Sequence, residues 1–399
     1  MPTLSRWSFS IILLLANVGC SRGETGGSAI APRDSAGIEI TEIAAGLRAQ
    51  APEWSLSGQP SVSIGSADGT PEYQLFRVTQ GLRLPDGRIV IADNGSATIR
   101  FFDPSGTIMH LVGRQGAGPG EYQAIGLLGR YGVDSLIVWD GALRRMTVLD
   151  AEGNYVRTLV PQGFGDRFVS FQHSFGDGSV LGRIDAGLHP DQMPEGVFEA
   201  TTTYVRLHAN GQIDTVGEFF GNQAFVTPDH SLTNMPFGRS GVVAAAPGGF
   251  YFSANDQYEL RHYTPTGESA AILRILEEPR PLTKAEIDAF VEADLARIDD
   301  PAALRQRTAF WAAVPYPATL PAFADLRIDA VGNVWAADYR LTPADSFRWT
   351  IISPDGQLRG RITTPSRLRI LDIGANYVLG VERDELDVER VVMYSLTST

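Results

Sequence analysis

Cysteine is almost missing from this 399-residue chain: Cys20 stands alone, which excludes an intrachain disulfide and any multi-cysteine metal site. Lysine is as scarce, with Lys284 the single one among 33 basic residues, an arginine bias that reads as codon usage rather than function. Against those 33 stand 46 acidic residues, a net charge of -13. A nucleic-acid partner is therefore excluded, because phosphate binding needs a basic face. No apolar run reaches the roughly 20 residues that cross a bilayer as a helix. The signatures of common hydrolases are missing as well, with neither a G-x-S-x-G elbow nor an H-E-x-x-H pair.

What the chain has in quantity is turn chemistry: 42 glycines and 24 prolines, with 43% hydrophobic residues to fill a core. The stretch Gly87 to Tyr122 shows the plan. Arg88–Asp93, Thr98–Asp103 and Thr107–Gly113 read as short strands, and Val78–Leu84 supplies another upstream. Leu84-Pro85-Asp86-Gly87 and Asp103-Pro104-Ser105-Gly106 are turns, since proline presets φ and glycine tolerates positive φ. Four strands joined this way form one antiparallel meander of about 35 residues, the size of one propeller blade.

The plan repeats. Ser63–Asp93 and Leu111–Asp140 share an Ile-Gly or Val-Gly start, a Glu-Tyr-Gln centre and a terminal Asp, with Gly65 and Gly113 lying 48 residues apart. The second type of turn recurs at Gly106, Gly153, Gly211, Gly267 and Gly356, at separations of 47, 58, 56 and 89. Unequal spacing with constant turn chemistry means that strands are kept while certain loops grow. Blades are expected at about 78–113, 125–160, 168–218, 240–276 and 323–363. A sixth holds Leu368–Ile373, Tyr377–Glu382 and Glu389–Leu396, and lacks a fourth strand. Ser61–Gly65 matches that missing strand, so the expected fold is all-β, a six-bladed propeller closed by pairing Ser61–Gly65 with Glu389–Leu396. A helical insertion over about 280–313 interrupts it: Thr283 to Glu286 fits a capping box, and Asp300-Pro301 fits the start of a second helix.

The loop Gly116-Ala117-Gly118-Pro119-Gly120-Glu121-Tyr122, the strand end Ile91-Ala92-Asp93 and the turn Phe102-Asp103-Pro104-Ser105-Gly106 resemble NHL-type repeats. The whole chain resembles bacterial six-bladed β-propeller lipoproteins, a likeness that implies the fold and leaves the chemistry open. Its N-terminus agrees. Arg6 precedes the apolar run Phe9–Ala16, and Cys20 follows Gly19, as in a signal peptide ending at a lipobox cysteine. Asn17 stands where that motif usually has leucine, and an ordinary secretory signal is the competing reading. Ser21 rather than aspartate after the cysteine resembles sorting to the outer membrane. The expectation is a lipid anchor at Cys20, a flexible tether over 21–36 and a propeller over 37–399 in the cell envelope.

In a four-stranded meander the first–second and third–fourth turns share one face. Here every such turn is tight. The long insertions, Ala186–Ala200, Phe219–Arg239 and Glu277–Ala322, all fall on the other face, where function concentrates on loops held by a rigid scaffold. Asp93, Asp140, Asp338 and Glu382 end equivalent second strands there. Each caps its own loop or, in the sharper reading, they form a cation-binding ring. Glu121 with Tyr122, and their copies Glu72 and Tyr73, read as blade-joining residues. Arg114, Arg144, Arg145 and Arg340 break the repeat and suit an anionic ligand, or else are solvated surface. Of His110, His173, His189, His208, His230 and His262, only His173 falls on an innermost strand, so a three-histidine channel metal as in amidating-lyase propellers is not expected. Gluconolactonase-like propellers bind a divalent ion through Glu, Asn and Asp; Asn94, Asn255 and Asp256 are the residues that would contribute. The leading expectation is a module that binds a protein or small-molecule ligand through the inserted-loop face, without a cofactor. The alternatives are a lactonase or other hydrolase with a divalent cation in the channel, and a purely structural scaffold.

Overall fold

The structure is a computed structural model and describes residues 30–398 except positions 133, 166, 186, 188–194, 228–230, 247 and 342–344. Cys20, His189 and His230 lie outside the described residues. No helix among the described residues is long and apolar enough to cross a membrane.

The chain is all-β. It begins with a hairpin, β1 (Ile30–Ser35) and β2 (Ile38–Ile43), then a helical turn α1 (Leu47–Gln50) and two short strands, β3 (Glu53–Leu56) and β4 (Val62–Ile64). Antiparallel meanders follow. The first is β5 (Val78–Arg83), β6 (Ile89–Asp93), β7 (Thr98–Phe102) and β8 (Ile108–Val112). The second is β9 (Ile125–Tyr131), β10 (Ser135–Asp140), β11 (Arg145–Asp150) and β12 (Tyr155–Leu159). In the third, β13 (Ser170–Ser174), β14 (Val180–Asp185), β15 (Gly196–Leu207), β16 (Ile213–Val226) and β17 (Leu232–Asn234) form a five-stranded sheet. The fourth is β18 (Val242–Ala246), β19 (Gly249–Ser253), β20 (Glu259–Tyr263) and β21 (Ser269–Ile275). Helices α2 (Lys284–Leu295) and α3 (Pro301–Ala313) separate it from the fifth, β22 (Phe323–Ile328), β23 (Val334–Asp338), β24 (Ser346–Ile352) and β25 (Leu358–Pro365). The last has β26 (Arg369–Ile373), β27 (Tyr377–Arg383) and β28 (Glu389–Thr397).

Strand ends follow the turn chemistry closely. Asp103 accepts bonds from the Ser105 and Thr107 amides, and Gly106 holds φ +88°. A Cβ on Gly106 would also lie 2.9 Å from Val62, so this turn needs glycine twice over. Strand β4 pairs antiparallel with β28, with Ser63 opposite Val392. Core clusters lie between successive sheets. One joins Leu82, Val90 and Ile99 to Leu128 and Val138, and another joins Ile64 and Val391 to Ile89 and Phe102. The first strands of successive meanders lie side by side, β5 with β9, β9 with β13, β13 with β18 and β18 with β22, while β26 lies beside β5.

Two arrangements differ from the sequence expectation. Residues 30–36, expected within the flexible tether, form strand β1 and its turn, because β2 runs parallel to β21 and the hairpin extends that sheet. Strand β3 then wedges between β25 and β28, joining the last two meanders in one nine-stranded sheet. Parallel additions of this kind leave no local signal in sequence. In the third meander the insertions are partly strand: Gly196–Ala200 of β15 pair with Asn222–Val226 of β16, since each inserted arm supplies the other's backbone partners. The helical insertion keeps its expected caps, with Thr283 and Glu286 in a reciprocal capping box and Asp300 accepting from the Ala303 amide.

Candidate functional site

The inserted segments converge. The extended hairpin β15–β16 carries β17, and the connection beyond it brings Phe237 edge-on to Phe290 of α2, 4.9 Å between ring centres, and over Tyr316 at 6.0 Å. Phe290 in turn meets Trp311 of α3, whose indole donates to Asp294 at 2.8 Å. Arg239, in the connection before β18, pairs with Glu199 of β15. Aromatic contact therefore fixes the helices on the same side as the long hairpin, an anchoring that loops of polar residues would not supply.

Beneath this junction lies a cavity of about 390 Å³, between the fourth and fifth meanders. Its walls come from the connection before β18 (Gly238, Ser240) and the first residue of β18, Val242, the β19–β20 loop (Asn255), Pro321 and the start of β22 (Phe323, Ala324), and the β23–β24 loop (Tyr339, Arg340, Leu341), with Phe347 of β24. All are second–third loops or meander connections and the strand ends beside them, the face that carries the insertions. The volume falls in the range of small-molecule sites.

Asn255 is the structural hinge of the cavity. It is buried with φ +67°, accepts from the Phe323 amide at 2.7 Å, and donates to the Phe323 carbonyl at 2.8 Å. Asparagine tolerates that conformation better than most residues. Among the described residues that line the cavity, Arg340 is the one cation. Its guanidinium stacks over Phe347 at 4.0 Å and one Nη donates to the Ser346 carbonyl. Its Nε is buried without a partner, and among the described residues no carboxylate pairs with it. Among the described residues no acidic side chain lines the cavity. Burial pushes the hydroxyl of neighbouring Tyr339 above its ordinary value, so it stays protonated and can donate.

The other sequence candidates are placed as follows. Asp93 is fully buried and accepts from the Gly95 amide at 3.1 Å. It also pairs with buried Arg100 at 2.5 Å. Burial raises its carboxyl despite that partner. Asp140 accepts amides from Gln123, Ala124, Ala142 and Leu143, so it ties its own loop to the preceding one. Asp338 departs from this pattern: Arg48, next to the N-terminal belt, bridges it and Glu277, each at 2.7 Å. Glu382 accepts from Tyr394 instead. Asn94 accepts the Ile125 amide at 2.8 Å, the same meander-joining task that Asn255 performs. Asp256 lies 3.8 Å from Arg239. Glu121 holds the Gly118 amide and exposed Arg114, while Tyr122 is buried and its hydroxyl pushed up to about 12. Tyr73 accepts from the Ile108 amide, and Arg100 donates to the Glu72 carbonyl. Arg144 spends donors on the carbonyls of Gly165 and Arg167, and Arg145 on those of Ala117, Gly118 and Glu121. Of the four arginines that break the repeat, Arg340 alone lines this cavity.

A divalent-cation site through Asn94, Asn255 and Asp256 is not assembled, since Asn94 and Asn255 are spent on separate junctions and Asp256 faces Arg239. Among the described residues no three His, Cys, Asp or Glu side chains come together as a metal site. His173 on β13 is held neutral: burial, then the nearby Arg327, lowers it to about 4. A second cavity of about 310 Å³ lies on the tight-turn face between the first two meanders, at Asp86, Arg88, Arg130, Asp134 and Glu152. Its arginines are satisfied, Arg88 by Asp86 and Arg130 by Asp372.

No protein family matches the chain, and no curated protein sequence does. Solved structures do. A member of the DUF4221 family from Bacteroides vulgatus superposes with TM-score 0.52 at 10% identity, covering 87% of this chain and 99% of that one. That likeness is one of fold. A Bacteroides fragilis protein provisionally named as exported reaches TM-score 0.48 at 10% identity over 90% of this chain and 99% of its own. A gluconolactonase from Xanthomonas campestris reaches 0.38 at 13% identity over 85% and 87%. At those scores neither carries an argument about this chain.

Proposed function

We propose that this chain is a lipid-anchored, six-bladed propeller of the cell envelope that binds a ligand, a small molecule or the tip of a protein partner, through its inserted-loop face. The ring reading rests on the meanders in succession, on first strands that adjoin one another, and on β4 completing the last meander beside β28. The anchor reading rests on Cys20 at the end of the signal-like segment. The observation that carries the binding reading is the placement of the cavity. Segments more than a hundred residues apart in sequence converge on it, on the one face where the chain departs from minimal turns. Rigid strands hold its walls, and Asn255 locks the two meanders that enclose it.

A fragment screen by ligand-observed NMR, run on the full chain and on Ala324→Trp, tests this. Ala324 is exposed and faces the cavity, so the indole fills it without entering the core. The reading expects fragments that bind the native chain and are lost from the variant. No binding to the native chain, or equal binding to both, contradicts it.

A further inference from the structure

We infer that the cavity between the fourth and fifth meanders receives an organic monocarboxylate with an apolar body, its carboxylate held by Arg340. The inference rests on the binding role proposed above and specifies the ligand's chemistry.

The argument is one of satisfaction. A guanidinium carries five donors, and buried donors find partners because leaving one unmet forfeits its hydration with nothing in return. Arg340 meets the Ser346 carbonyl through one nitrogen. Its Nε is buried without a partner, as are those of Arg83, Arg145 and Arg361, and among the described residues neither an ion pair nor a hydrogen bond engages the second Nη of Arg340. What sets Arg340 apart is that it lines the cavity with only one Nη engaged. Arg145, whose Nε is likewise unpartnered, spends both Nη on loop carbonyls, Arg144 donates to two more, and Arg88, Arg100 and Arg130 have carboxylates. Stacking on Phe347 fixes the plane of the Arg340 guanidinium, so the fork is already oriented and little entropy is lost when an anion docks on it.

The rest of the wall selects the body of the ligand. Val242, Pro321, Phe323, Leu341 and Phe347 are apolar, and no acidic side chain opposes a negative charge. One cation amid apolar walls fits one negative charge. A multiply charged phosphate would bring charge that the cavity cannot neutralise and would leave the aromatic walls unused. The protonated hydroxyl of Tyr339 supplies a further donor. The same chemistry is offered by a free aryl- or branched-chain acid and by the C-terminal carboxylate of a peptide ending in an apolar residue.

The test uses ¹⁹F NMR on the full chain in detergent with 3-(4-fluorophenyl)propanoate and its amide, and with N-acetyl-4-fluorophenylalanine as a mimic of a peptide end. The acid is expected to bind at least about tenfold tighter than the amide, as a charge-assisted bidentate contact requires. Arg340→Met should erase that preference while leaving the amide's affinity within about twofold, and Ala324→Trp should abolish both. Tighter binding of the acetylated amino acid supports the peptide-end source, and tighter binding of the propanoate the free-acid source. Equal binding of acid and amide, both lost in Ala324→Trp, overturns the carboxylate assignment and leaves the cavity's binding role standing. Displacement of the acid by equimolar inorganic phosphate also overturns it. Binding of both probes to Ala324→Trp places them outside the cavity and contradicts the role itself. Failure of every probe on the native chain overturns the assignment, while the fragment screen separately judges the role.

Discussion

The first two meanders and the fourth and fifth are built from the same turns, yet they treat their polar groups differently. In the first pair the carboxylates at the junctions are all engaged, although Arg83 Nε, the Tyr122 hydroxyl and Arg145 Nε are buried without partners. Asp93 is locked to Arg100, Asp140 takes four amides, and Arg145 draws in the carbonyls of the loop before it. The loops that result are short, and the cavity at their far side has its arginines paired. In the fourth and fifth meanders the amide of Asn255 makes the polar link over a shared apolar core, Asp338 is given over to Arg48, and Arg340 is left with donors unspent. An unpartnered donor away from a cavity, like that of Arg145, stays part of the scaffold. One carried by a residue that lines a cavity, like Arg340, offers a place for something else to satisfy it.

The comparison breaks most visibly at the buried ion pair. Arg100→Met leaves the Asp93 carboxylate without its counter-charge in a fully buried position and should cost ~3–5 kcal/mol. Urea denaturation measures it; a loss under about 1 kcal/mol would show that the first meander does not depend on this junction. Next in size is the joining asparagine. Asn255→Ala removes a donor and an acceptor from the buried Phe323 peptide and should cost ~2–4 kcal/mol, whereas Asn94→Ala removes one bond, to Ile125, and should cost ~1–2 kcal/mol. Equal costs would mean that the two junctions are equivalent and that the contrast drawn here is not one of stability.

A pH titration sharpens the picture at the third meander, which stands between the two. His173 has its folded value lowered from 6.5 to about 4, so between those values the unfolded chain binds a proton that the folded chain refuses. Its share of stability is complete above pH 6.5 and is lost as pH falls toward 4. Partial contact with water limits the effect to ~1–2 kcal/mol, and His173→Gln should flatten the profile over that window. An unchanged slope in the variant assigns the acid sensitivity to other groups. The smallest effect on stability is expected at the cavity: Arg340→Met should shift unfolding by less than ~1 kcal/mol, because no carboxylate is left unpaired. A larger loss would make Arg340 part of the scaffold.

Much of this architecture is legible in the sequence because its turns are local. Asp103 to Gly106 specify their reversal through side chains within four residues, and the Thr283 and Asp300 caps do the same for the helices. The likeness between Ser63–Asp93 and Leu111–Asp140 even points to β28 as the partner of Ser61–Gly65, since a repeat fixes where a missing strand must go. The N-terminal belt is different. Strands β1 to β3 join β21, β25 and β28 from over two hundred residues away, with no copy elsewhere in the chain to suggest them. The site was legible only in part. Arg340 stands out as a residue that breaks the repeat, but so do Arg114, Arg144 and Arg145, and only the folded chain tells which of them lines a cavity. Asn255 looks like a metal ligand in sequence and is a bolt between meanders in space.

The most direct measurement of the central claim is hydrogen–deuterium exchange by mass spectrometry on the full chain, with and without the tightest fragment from the screen. The account predicts added protection in the segments around 238–242, 321–324 and 339–347, the walls of the cavity on the inserted-loop face. Protection around 84–88 and 130–136 instead, on the tight-turn face, would move the binding site to the scaffold half and contradict it.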